Sequence, residues 1–169
     1  AAQGDLKGAL EALTEGLVVH RCLDTVATLE GAQLLGRTGC VRYDLGDFAG
    51  AVAALEEAIS VRRQINKIDT ADGADVVTSL GRAQLALNKP DAAFAAYTEA
   101  KAIRVRITKL DTPGGAYLLM LMGTLKCECM KDPDAALEDF SRARRIRERM
   151  GMRTMETAEG AVLLMQTGV

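Results

Sequence analysis

The sequence predicts an all-α protein, a right-handed superhelical solenoid of antiparallel helix hairpins, and three observations carry that prediction. A 42-residue period runs through the chain: Ile68-Asp69-Thr70 recurs as Leu110-Asp111-Thr112, Gly73-Ala74 as Gly115-Ala116, and Leu80-Gly81 as Met122-Gly123. A fixed period of this size means stacked units whose apolar faces are buried only against neighbours. The composition favours helix over strand, with abundant Ala, Leu, Glu and Arg, no Trp and only 4% aromatic residues. Helix start and stop signals then cut every period into two halves.

The register extends backwards to Gly31-Ala32, Gly39 and Gly46-Asp47, and to Gly4-Asp5, and forwards to Thr157, Gly160-Ala161 and Gly168. An insertion of three residues near Gly151 to Met155 absorbs the forward shift. The reading is one domain over 1–169: a half repeat at 1–22, repeats near 23–67, 68–109 and 110–151, and a half repeat at 152–169. The pattern is already running at Gly4 behind an N-terminal Ala, as in a processed or partial stretch of something longer.

Each element has its own warrant. Thr28, Thr70, Thr112 and Thr157 stand where first helices begin, placing a hydroxyl against an orphan backbone N–H, and Pro113 suits a first helical position. Second helices open after Asp5, Asp47, Lys89 and Asp132, and Pro90 and Pro133 are tolerable there because they fall in the first turn. The expected helices are 5–21, 28–45, 48–65, 70–87, 90–107, 112–130, 133–150 and 157–168. In the first helices Leu34-Leu35, Val76-Val77, Leu118-Leu119 and Leu163-Leu164 occupy matching sites. In the second helices a small residue (Ala51, Ala93, Ala136) precedes a large one (Leu55, Tyr97, Phe140) and another small one (Ala58, Ala100, Ala143), which is interdigitated packing.

These residues resemble the tetratricopeptide repeat. Gly39, Ala51, Leu55 and Ala58 match its spacing, as do Gly81, Ala93, Tyr97 and Ala100; Gly123, Ala136, Phe140 and Ala143 match with one extra residue in the turn. The 42-residue unit with a lengthened second helix looks like the kinesin light chain variety. Arg63 and Val105 stand where the usual closing proline would, and Arg42, Gln84 and Lys126 where a Tyr is common. The resemblance implies a concave surface lined by first helices that receives a segment of another protein. Carried over position by position, that partner-binding groove presents Gln33, Cys40, Tyr43 and Asp44, then Asp75, Thr78 and Arg82, then Tyr117, Met120, Thr124 and Glu128. Tyr offers contact area with a hydrogen-bonding tip and Met adapts to irregular surfaces, as a protein ligand needs; Tyr43 and Tyr117 would equally serve as packing between hairpins. The Lys and Asn clamp of chaperone-binding relatives is absent, its sites being Gly36, Cys40, Thr78 and Ser79.

A second candidate surface is basic. Arg142, Arg144, Arg145, Arg147 and Arg149 crowd the end of one second helix with Glu148 to offset them. They would suit an acidic partner or phosphate, or simply complement the negative helix terminus and stay solvated.

Other classes of function are disfavoured. The net charge of −2 gives no broad field for nucleic acid or an anionic membrane, and no apolar run reaches the ~20 residues of a bilayer span. Cys22, Cys40, Cys127 and Cys129 have no disulfide-framework spacing and read as free thiols. Cys127 and Cys129 point to different helix faces, and His20 is the one imidazole, so no metal set is expected. No nucleophile with a base and no phosphate-binding glycine loop is present, so neither a catalytic residue nor a cofactor is expected. The expectation is a soluble, non-enzymatic protein-interaction scaffold in a reducing compartment. Cytoplasm fits, and so does the plastid, since arrays of this spelling resemble those of unicellular algae. The function read from the sequence is a structural or assembly subunit of a larger, multi-subunit complex, including one at a membrane, or alternatively a reversible peptide adaptor.

Overall fold

The computed structural model describes residues 2–151, so the expected helix at 157–168 and Thr157 lie outside the described residues. Among the described residues the elements are α1 (Ala2–Cys22), α2 (Leu29–Asp44), α3 (Phe48–Gln64), α4 (Ala71–Ala86), α5 (Pro90–Arg106), α6 (Pro113–Leu125), a π-helical turn (Lys126–Met130) and α7 (Pro133–Arg149). The chain falls into two compact units, Ala1–Ile103 and Arg104–Val169.

The helix starts follow the threonines. Thr28, Thr70 and Thr112 each accept from the N–H of the glycine three residues on, at 3.2, 3.0 and 3.2 Å. Each hydroxyl also donates back to the preceding loop, to the carbonyls of Thr25, Lys67 and Lys109. One side chain thereby ties the helix N-terminus to the loop before it. The glycines in these Thr-x-x-Gly signatures are steric requirements: a Cβ on Gly31, Gly73 or Gly115 would strike the backbone of Val26, Ile68 or Leu110. Asp47 and Asp132 cap α3 and α7 by accepting from Gly50 and Ala135.

Helix ends repeat as faithfully as helix starts. Asp24, Asn66 and Thr108 close second helices with φ of 54°, 56° and 56°, and Gly46, Asn88 and Lys131 close first helices with φ of 83°, 58° and 57°. Left-handed residues of this kind let the last carbonyls find donors before the chain reverses.

Within hairpins, Gly39 receives Leu55, Gly81 receives Tyr97 and Gly123 receives Phe140. A Cβ at those glycines would lie 2.5 Å from Leu55 Cγ, 2.5 Å from Tyr97 Cε1 and 2.7 Å from Phe140 Cε1. Leu55 and Tyr97 are fully buried and Phe140 nearly so, with Ala51, Ala93 and Ala136 beside them. Between hairpins of the first unit, Leu17, Ala32, Leu35, Ala58 and Val61 form one core cluster, joined at its edge by Val26, Leu34 and Val76. In the second unit Ala116, Leu119, Ala143 and Ile146 cluster in the corresponding place.

One expectation is corrected. The extra residue between Gly123 and Ala136 was expected in the turn, but it is absorbed at the end of the first helix of that hairpin, where Lys126–Met130 widens into the π-helical turn and the Asp132 N–H reaches the Lys126 carbonyl at 3.1 Å. Lys131 and Asp132 then reproduce the left-handed closure and cap of Gly46 and Asp47. Keeping both the Gly–large contact and the turn leaves only the helix end to take up an inserted residue.

Candidate functional site

In the first unit a concavity of about 610 Å³ opens beside α2. Its lining includes Gln33, Arg37 and Cys40 of α2, Asp72, Asp75 and Ser79 of α4, Arg62 of α3, and Ala9 and Leu13 of α1. Three of the residues assigned to the groove from sequence, Gln33, Cys40 and Asp75, are brought together there, each exposed. They share a wall because first-helix positions 42 apart lie side by side in adjacent hairpins; Cys40 Sγ approaches Ser79 Oγ at 3.8 Å.

The other first-unit assignments fare differently. Tyr43 and Arg82 meet, with the guanidinium 4.5 Å from the ring centre, and Phe48 packs against the same ring at 5.3 Å. Tyr43 is therefore half-buried between hairpins, with its face taken by a cation. Asp44 is exposed at the end of α2. Thr78 is a correction: it is 5% exposed and its hydroxyl donates to the Ala74 carbonyl one turn back at 2.7 Å, so it faces the core. A threonine on α4 that follows Val77 falls on the buried stripe, and its hydroxyl is satisfied within its own helix.

In the second unit Tyr117 and Thr124 are half-buried, and Glu128 is exposed on the π-helical turn. Met120 packs with Cys127 against Ala136 and Phe140, which makes it part of the hairpin core rather than an open wall. The polar residue at 126 has a structural role: Lys126 Nζ donates to the buried Asp139 carboxylate at 2.6 Å.

The basic cluster is more neutralised than its sequence implied. Arg142 and Arg149 both reach Asp111, at 3.9 and 3.1 Å, and Arg144 pairs with Glu148 at 2.9 Å. Arg145 Nε donates to the Ser141 carbonyl, and Arg147 is half-buried with a partner of its own. A shallow depression of about 620 Å³ there carries Asp111, Glu138 and Glu148 among the arginines, so Glu148 is not the sole counter-charge.

Sequence reading missed the charged floor of the first-unit concavity. Arg62 is only 2% exposed, its Nε has no partner, and among the described residues no hydrogen bond or ion pair reaches its guanidinium. A lone buried cation is costly unless something compensates it. The repeat shows what usually does. Arg104, 42 residues later and 3% exposed, turns its Nη1 toward the Lys109 carbonyl and Thr112 Oγ1, at 3.5 and 3.3 Å. At the equivalent place before α2, His20 Nδ1 pairs with Thr25 Oγ1 at 2.9 Å. Arg62 makes neither of the corresponding contacts, to Lys67 or Thr70. The difference lies one helix on. A Cβ at Gly114 would sit 2.5 Å from Arg104 Nη2, whereas the residue in that register, in the first turn of α4, is Asp72. The signal available in sequence was the recurrence of His20, Arg62, Arg104 and Arg147 at one repeat position.

Cys22, Cys40 and Cys129 are exposed free thiols and Cys127 is a partly buried one. Among the described residues no cluster of three or more His, Cys, Asp or Glu is arranged to hold a metal ion, and no described helix is long and apolar enough to cross a membrane.

Comparison with known proteins agrees with this architecture. A tetratricopeptide repeat family model matches residues 39–72. None of the curated proteins compared matches the chain. Among solved structures, the Podosopora anserina kinesin-light-chain-type protein with nearly identical TPR-like repeats superposes with a TM-score of 0.78 at 13% identity, over 97% of this chain and 76% of that one. MamA does so at 0.65 and 18%, over 98% and 88%. The APC/C hetero-tetramer Cut9-Hcn1 does so at 0.63 and 16%, over 99% of this chain and 34% of that one. The chain is thus similar to the tetratricopeptide repeat in sequence over residues 39–72, and to kinesin-light-chain-type TPR-like repeats in fold over nearly its whole length.

Proposed function

We propose that this protein is a non-catalytic protein-interaction scaffold, and specifically a structural or assembly subunit of a larger complex. The observation that carries the subunit reading is the apolar surface of α1. Val18, Val19 and Leu23 are 52%, 55% and 66% exposed, and Val18 and Val19 border a depression of about 670 Å³ with Leu10, Lys7 and Glu11. Contiguous exposed aliphatic surface with a charged rim is the signature of a face that another polypeptide covers. Cut9-Hcn1 is an assembly built on a similar fold, which supports the reading by analogy. Purification from native extract at low micromolar concentration tests it: obligate co-purification of a partner is expected, and a stable, soluble monomer through size exclusion would count against it.

The concavity beside α2 favours a second reading, a reversible adaptor that binds a peptide segment. Its mixed lining of Ala9, Leu13 and Val76 with Gln33, Arg37 and Asp75 suits an extended chain with alternating side chains. Dissociation kinetics separate the two readings, seconds or faster for an adaptor and hours for a fixed subunit.

A further inference from the structure

We infer that the concavity beside α2 is built around a carboxylate-receiving site, with Arg62 at its floor, and that it takes one Asp or Glu side chain of a partner polypeptide. The inference rests on the reading of this groove as a protein-binding surface and names the chemistry it selects.

Two independent observations meet in it. The concavity is open and large enough for several side chains, about 610 Å³. Into it comes a guanidinium that is 98% buried by residue, unpaired among the described residues, and has no partner at Nε. The chain contains its own control. Arg104 at the same repeat position is equally buried, yet spends its Nη1 on the Lys109 carbonyl and the Thr112 hydroxyl. Gly114 leaves room for the Arg104 guanidinium, and Asp72 stands at that register position in α4. Arg104 thus braces its loop, and Arg62 lines the groove instead.

The lining also chooses among anions. Asp72 and Asp75 share the wall with Arg62 and Arg37. Two carboxylates on that wall oppose a dianion such as a phosphoryl group more than they oppose a single carboxylate. Planar carboxylate is also the geometry that a guanidinium fork matches. Apolar Val76 and Leu13 border the site, so an aliphatic residue next to the acidic one completes the fit.

The test uses the full chain and a phage-displayed library of random dodecapeptides. Enriched peptides are resynthesised with each acidic residue replaced by its amide, or by phosphoserine, and binding is read by fluorescence anisotropy. One acidic position is expected to dominate, its amide costing about tenfold or more in affinity. Arg62→Gln should bind the acid and the amide peptide alike with an unchanged circular dichroism spectrum, and Arg62→Lys should keep part of the preference. Should Arg62→Gln fail to fold, the acid and amide series on the unaltered chain still decides. Peptides that lose binding to Cys40→Trp, which fills the concavity, but show no acidic preference would overturn the carboxylate site while leaving the groove intact. A phosphoserine peptide outranking its acidic counterpart would overturn the choice of anion. Failure to enrich any peptide sensitive to Cys40→Trp would remove the groove reading and the inference with it.

Discussion

Replacing glycine by alanine should stabilise this protein at one position and destabilise it at another, and the difference measures hairpin packing alone. Gly8 lies in α1 with nothing within 4 Å of an added Cβ; Gly81 lies in α4, where the Cβ would meet Tyr97 Cε1 at 2.5 Å, Tyr97 Cδ1 at 2.6 Å and the Ala93 carbonyl at 3.2 Å. Both substitutions gain about 0.5–1 kcal/mol of helix propensity. At Gly8 that gain stands by itself. At Gly81 the ring in the way is fully buried and the carbonyl belongs to α5's backbone, so neither yields without repacking, at about 1–3 kcal/mol. Because the propensity terms cancel, Gly8→Ala should exceed Gly81→Ala in stability by about 1–3 kcal/mol, or roughly 2–12 °C in Tm for a chain of this length. Urea titration followed by circular dichroism reads the difference directly. Equal shifts of the same sign would refute the claim that Gly81 is a seat for Tyr97.

Further outcomes follow from other contacts. Thr70→Ala loses the Gly73 N–H acceptor and the donation to Lys67 together and should cost about 1 kcal/mol in chemical denaturation. Thr108 holds φ of 56° with a β-branched side chain, so Thr108→Gly should stabilise by about 0.5–1 kcal/mol, visible as a raised Tm. Lys126→Met takes a short charged hydrogen bond from buried Asp139 and should cost about 1.5–3 kcal/mol by the same titration. Maleimide labelling followed by mass spectrometry should modify Cys22, Cys40 and Cys129 quickly and Cys127, packed on Ala136 and Phe140, slowly.

The fold was legible because its determinants are periodic and local. Thr70 and Gly73 state a helix start in adjacent letters, and Gly81 with Tyr97 states a hairpin contact through the size of two residues. Boundaries came within a residue or two for α2 to α5 for the same reason. The π-helical turn was not legible, because an inserted residue between Gly123 and Ala136 leaves no mark of whether helix or turn absorbs it. The site was legible only in part. Gln33, Cys40 and Asp75 followed from the shared register of the first helices, whereas Thr78 did not, since an amphipathic threonine reads equally well as wall or core. Arg62 escaped because its state is set by packing rather than by its own letter: sequence gives the recurrence of a cation at that position, and only the packing tells that Arg104 is braced by its loop and Arg62 is not.

Residue-resolved cross-linking mass spectrometry on native extract tests the central claim, that the protein works by offering a surface to another protein, most directly. Links to a reproducible neighbour should concentrate on the wall formed by Gln33, Arg37, Cys40 and Asp75 and on the exposed face of α1 around Lys7. Links scattered evenly over the chain, or confined to the outer faces of α3 and α5, would contradict it.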